Sequence, residues 1–168
     1  MPQFQLNVGD HASLELDFGP IPAEALWQFR WARTQALWIA ANKPGANPAF
    51  MAMPNGRPLT GVNPLRPEAT GLLEDPSIWV NYFVSSVNFG FTPGSDNDIG
   101  VSNMAVAIGQ WTVLATIIHE LGHINGCPGF SADQTAEQAL VPCGLGYLAE
   151  LLTGVDDPNT PFNPNIQG

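Results

Sequence analysis

Residues 110–124, Gln-Trp-Thr-Val-Leu-Ala-Thr-Ile-Ile-His-Glu-Leu-Gly-His-Ile, constrain the fold of this chain more than any other stretch. The pattern predicts a helix that Trp111, Val113, Leu114, Ile117, Ile118, Leu121 and Ile124 make apolar over most of its circumference. Such a helix cannot lie on a surface; other elements must enclose it. Thr112, Thr116, His119 and His123 leave one polar stripe, so the helix should line an interior cleft. Asn125-Gly126 follows, residues that tolerate the left-handed backbone on which helices end.

Within that helix stands His119-Glu120-Leu121-Gly122-His123. Side chains four apart share a helix face, so both imidazoles can reach one metal ion. Zinc accepts neutral imidazole nitrogen at about 2.0–2.1 Å. Glu120 is turned by about 100° from His119. That makes it a poor third ligand but a good proton acceptor for water at the metal and a donor to a leaving amine. Two histidines and a carboxylate in so apolar a helix are costly without partners, which favours a metal site. A satisfied structural cluster is the bland alternative.

On these residues the chain resembles the zincin-type zinc metallopeptidases. The looser element order agrees: hairpin, backing helix, strands, motif helix, helical C-terminal part. The resemblance implies an α+β fold with a small mixed sheet, zinc on His119 and His123, and Glu120 as general base and acid in peptide hydrolysis. It leaves the third ligand open. The metzincin group would need a His or Asp where Gly129 stands and a later Met, and no Met follows His123. The gluzincin group uses a Glu on a following helix. Glu137 ranks first here, then Asp133, then Glu150; Asp133 and Glu137, four apart, share a face. Tyr147 is a candidate oxyanion donor or simply a packed helix tyrosine. His11 comes a distant fourth, and it reads more readily as an exposed turn histidine.

Cys127 and Cys143 bracket the presumed third-ligand helix. A disulfide between them is the first expectation, and it would point outside the cytoplasm. Free buried thiols are the second. The third is a closed Cys₂His₂ zinc site with His119 and His123, which would make the chain a structural or assembly protein without turnover.

The rest of the chain supplies the frame. Its 168 residues, 45% hydrophobic, suit one domain over 1–168. Alternation over 4–18 predicts a hairpin about Gly9-Asp10. Pro20 and Pro22 should open a helix to about Ala41, with Trp27, Trp31 and Trp38 as its core stripe. Residues 43–76 hold seven Pro and four Gly and read as one long irregular segment that could wrap the surface or cover a cleft. Strands are expected over 78–87 and 99–108. The turn between them contains Ser95-Asp96-Asn97-Asp98, which reads as a plain turn and lacks the spaced acids of a calcium loop. Ser131 and Gln134 resemble a capping box for a helix near Ala132, interrupted at Pro142. A further helix is expected over 144–152, then an extended tail over 155–168.

The formal charge is −10, and no Lys or Arg follows Arg66. A surface so short of cations cannot neutralise phosphates, so nucleic acid and anionic membranes are poor partners. No apolar run is long enough to span a bilayer, and no signal peptide is visible. The zincin resemblance implies a peptide or protein substrate as the partner.

Overall fold

A computed structural model describes residues 3–68, 70–94, 96–128 and 133–145, with Asp133, Gln134 and Glu137 described by backbone alone. The architecture is α+β. Strand β1 (Gln5–Leu6) is followed by α1 (Leu26–Asn42), α2 (Ala46–Met51), a 3₁₀ turn (Leu72–Glu74), β2 (Trp79–Phe83) and β3 (Gly90–Phe91). Then come β4 (Asp98–Ser102), α3 (Asn103–Ile108), α4 (Gln110–Ile124) and α5 (Asp133–Gln138). The sheet order is β1-β2-β4-β3. β1, β2 and β4 are parallel, and β3 is an antiparallel edge strand. Parallel neighbours need a crossover, and α1 lies in the one between β1 and β2. α4 packs against β4 and β3, and α1 packs against α4. One core joins these layers from Phe4 to Leu145.

The expected hairpin over 4–18 does not form. β1 has two residues and pairs in parallel with β2. The Asn7 side chain stops it: Oδ1 accepts from Gly9 N at 3.0 Å, and Gly9 takes a φ of 106°. The chain then crosses the sheet face remote from α4 and returns, with Ile21 N donating to Asn7 O at 2.8 Å. Two rings pin this strap. Phe18 packs on Phe83 and Phe91, and His11 stacks on Trp79 with centroids 4.2 Å apart. His11 Nε2 also lies 2.9 and 3.0 Å from the oxygens of buried Asp98. His11 is therefore a partly buried anchor and not an exposed turn histidine. Asp98 N bonds to Asp96 Oδ1, so residues 96–98 behave as a turn.

Helix α1 begins at Leu26, after a turn over Pro22–Ala25. Its core face is Phe29, Ala32, Ala36, Ile39 and Ala40, whereas Trp27 and Trp38 are half exposed. The tryptophan stripe is thus not the buried one. The alanines lie roughly opposite it on the helical wheel. Their small side chains let the helix sit close on the core, where three indoles would not fit. Only Trp31 turns inward, edge-on to Trp111 with centroids at 4.8 Å.

The Pro-rich stretch is not a surface wrap. It forms α2 and the 3₁₀ turn, and it buries Phe50, Met53, Leu59, Leu72 and Leu73. β2 stops at Phe83, leaving Val84 and Val87 exposed. The strand expected over 99–108 stops at Ser102, whose hydroxyl accepts from Met104 N and caps α3. Cys127 and Cys143 are free and buried, so the expected disulfide is absent. Ser131, Ala132, the tail over 155–168, and all but Gly144 and Leu145 of the expected 144–152 helix lie outside the described residues. Among the described residues no helix is long and apolar enough to cross a membrane.

Candidate functional site

Helix α4 occupies the predicted span and is enclosed as its apolar surface requires. Every residue from Thr112 to Gly122 is buried, Thr112 and Thr116 of the polar stripe included. His119 and Glu120 are 0% exposed, and His123 is partly exposed. The imidazoles meet as the four-residue spacing demands. Their Nε2 atoms are 3.0 Å apart, with rings inclined at 67°.

The end of the helix sets which nitrogen of His123 faces His119. Gly126 adopts a φ of 92°, Cys127 N donates to Gly122 O at 3.1 Å, and Gly126 N donates to His123 O at 2.9 Å. These two bonds define a Schellman turn, the left-handed helix stop that glycine permits. The turn brings the Cys127 carbonyl to 2.9 Å from His123 Nδ1. A carbonyl can only accept, so Nδ1 is the donor here, and a neutral His123 in this arrangement presents its Nε2 lone pair.

Glu120 leaves the helix on another bearing and reaches the edge strand. Thr92 Oγ1 donates to Glu120 Oε2 at 2.5 Å. The carboxylate also packs against Gly90 of β3, where any Cβ would overlap it and the Thr116 methyl. Gly90 is thus required by close approach. Neither Thr92 nor Gly90 was singled out by sequence reasoning, because both lie about thirty residues from the motif and carry no local pattern.

Two nitrogens bound to one tetrahedral zinc at about 2.0–2.1 Å lie roughly 3.3–3.4 Å apart. The observed 3.0 Å is within a few tenths of an ångström of that span. The imidazole pair therefore fits a shared ion. The same distance also fits a bond in which His119 Nε2–H donates to His123 Nε2.

Among the described residues no three His, Cys, Asp or Glu side chains converge as a metal-binding group. The closed site of His119, His123, Cys127 and Cys143 is accordingly not assembled, and His11 is not a third ligand. Burial raises the Cys127 thiol above its ordinary pKa and pushes the Cys143 thiol up to about 12. Neither is poised as a thiolate ligand. The helix carrying the remaining candidates does reach the motif. A Cβ on Gly122 would stand 3.1 Å from Ala136 Cβ, so α5 lies against α4 beside His123. The side chains of Asp133 and Glu137, and the whole of Tyr147 and Glu150, lie outside the described residues.

Comparison of the chain with protein families, with curated proteins and with solved structures finds no match.

Proposed function

We propose that the chain is a zinc-dependent metallopeptidase of zincin type. One observation carries the reading: two imidazoles from a buried helix stand with Nε2 atoms 3.0 Å apart, one of them held through its Nδ1 by the Cys127 carbonyl. The element order supports it, with α1 backing α4 and an antiparallel edge strand beside the motif. So does the approach of α5, on which Glu137 and Asp133 are the proposed sources of the third ligand.

When bound, zinc supplies a Lewis acid that polarises a peptide carbonyl and lowers the pKa of water. His119 and His123 would hold it. Glu120 takes the proton of the attacking water and returns it to the departing amine. Thr92 restrains one Glu120 oxygen, leaving fewer orientations to be lost when the proton moves.

A second reading also has an observation behind it. His119 and Glu120 have no exposed surface, which suits a structural cluster in a protein without turnover. One experiment separates the two: hydrolysis of a mixed peptide library by wild type and Glu120→Gln at equal zinc loading. The peptidase reading expects zinc retained and cleavage reduced about 10²–10⁴-fold. Equal cleavage by both removes Glu120 from the mechanism. Zinc bound with no cleavage by wild type favours the structural protein.

A further inference from the structure

The Pro-rich segment before β2 has a use that the fold alone does not require. Asn125, the last residue of the helix cap, is 0% exposed and spends its whole amide on that segment. Nδ2 donates to Phe50 O at 2.7 Å and to Arg57 O at 2.8 Å, while Oδ1 accepts from Arg57 N at 3.0 Å. Asn55 fastens the same junction from outside, through N to Asn125 O at 2.9 Å and Nδ2 to Ile124 O at 3.1 Å. Residues 50–57 thus grip the backbone immediately before Gly126. The grip is tight: a Cβ at Gly126 would come within 3.0 Å of both Asn55 Oδ1 and Pro54 Cβ.

From this geometry we infer that Asn125 is a positioning residue for the metal centre. By clamping residues 50–57 to the end of α4, it holds the turn in which the Cys127 carbonyl accepts a hydrogen bond from His123 Nδ1. That bond selects the tautomer whose Nε2 faces His119. The inference rests on the metallopeptidase reading only in naming zinc as the ion; the clamp and the tautomer belong to the metal-free chain. A hydrogen-bond partner on the second ring nitrogen fixes a ligand's orientation, and its loss typically weakens metal binding 10–100-fold. A helix stop serving only the fold would carry no such effect.

The test uses the full chain and two readouts: zinc affinity by competition with a chromophoric chelator, and the His123 tautomer by ¹⁵N NMR of the metal-free protein. Asn125→Asp keeps the size and one acceptor but replaces both donated bonds with repulsion toward the Phe50 and Arg57 carbonyls. Asn55→Ala loosens the clamp from its exposed side and leaves the buried amide intact, so it serves if Asn125→Asp does not fold. Wild type should show the Nδ1-protonated form of His123. Asn125→Asp should mix the tautomers and bind zinc about 10–100-fold more weakly; Asn55→Ala should shift both readouts in the same direction by less. A folded Asn125→Asp with wild-type tautomer and affinity overturns the proposal and leaves the metal reading standing. If Asn125→Asp does not fold, an Asn55→Ala variant unchanged in both readouts overturns it likewise. A wild type that binds no zinc overturns the metal reading and this proposal with it.

Discussion

Burial sets the chemistry of the two cysteines more than their nearness to the motif does. Cys143 is 1% exposed, and its thiol is pushed up to about 12. The thiolate, the species that attacks disulfide reagents, is then a very small fraction of Cys143 at pH 8. We expect titration with an aromatic disulfide to find two thiols at once in denaturant and to proceed far more slowly in the native chain. Fewer than two thiols in denaturant would restore the disulfide. Fast native reaction of both would contradict their burial. At the same scale, Gly90 and Gly126 act through the absence of a side chain, one admitting the Glu120 carboxylate and the other supplying the left-handed turn.

The strap over residues 8–18 has no helix or strand of its own, and it is held by side chains. Its leucines face solvent, Leu14 at 78% and Leu16 at 96%, so they do not bind it to the sheet. Phe18 does at one end, on Phe83 and Phe91, and His11 does at the other, through the Trp79 stack and the bond to Asp98. His11→Ala removes the partner of a carboxylate that is itself 3% exposed. We expect a loss of about 1–3 kcal/mol in urea unfolding, the penalty for a buried polar group left without its bond. Adding Asp98→Asn should recover part of it, because the stranded charge is then gone. A His11→Ala chain as stable as wild type would mean that the strap is not anchored there.

Across the molecule, the Pro-rich segment is tied at both ends. Asn125 holds Arg57 by its backbone, and the Arg57 guanidinium bonds Asp75 at 2.8 Å, just before β2. Burial works against the charged Asp75 carboxylate, but bonds from Ser77 and Arg57, with the Arg57 charge, hold its pKa below the ordinary 3.8. A carboxyl lowered on folding adds stability above its unfolded pKa, and that contribution is lost as pH falls through the folded value. The pair is partly exposed, so its worth is about 1 kcal/mol or less. Asp75→Asn should therefore be less stable than wild type by that amount at pH 7, and the difference should fade as pH is lowered below the ordinary carboxylate value of 3.8. Urea unfolding across that range is the check; a difference independent of pH would assign the effect to packing rather than charge.

The span of α4, its stop at Asn125-Gly126 and the meeting of His119 with His123 could all be read from the chain. Each is a short-range consequence of helix geometry, set within a few residues. The α+β character followed from the mix of helix and strand periods. Tertiary structure decided the rest. α1 has two apolar faces, and hydrophobicity could not choose between them; the burial of Phe29, Ala32, Ala36, Ile39 and Ala40 in the core did. The alternation over 4–18 suited a strand as well as a strap, and the pairing of β1 with β2 settled it, a contact more than seventy residues away in sequence. Thr92 and Gly90 at Glu120, and Asn55 and Arg57 at the end of α4, carry no mark in their own neighbourhoods. They become part of the site because folding brings distant backbone to the motif helix, and only the three-dimensional path of the chain specifies which residues arrive there.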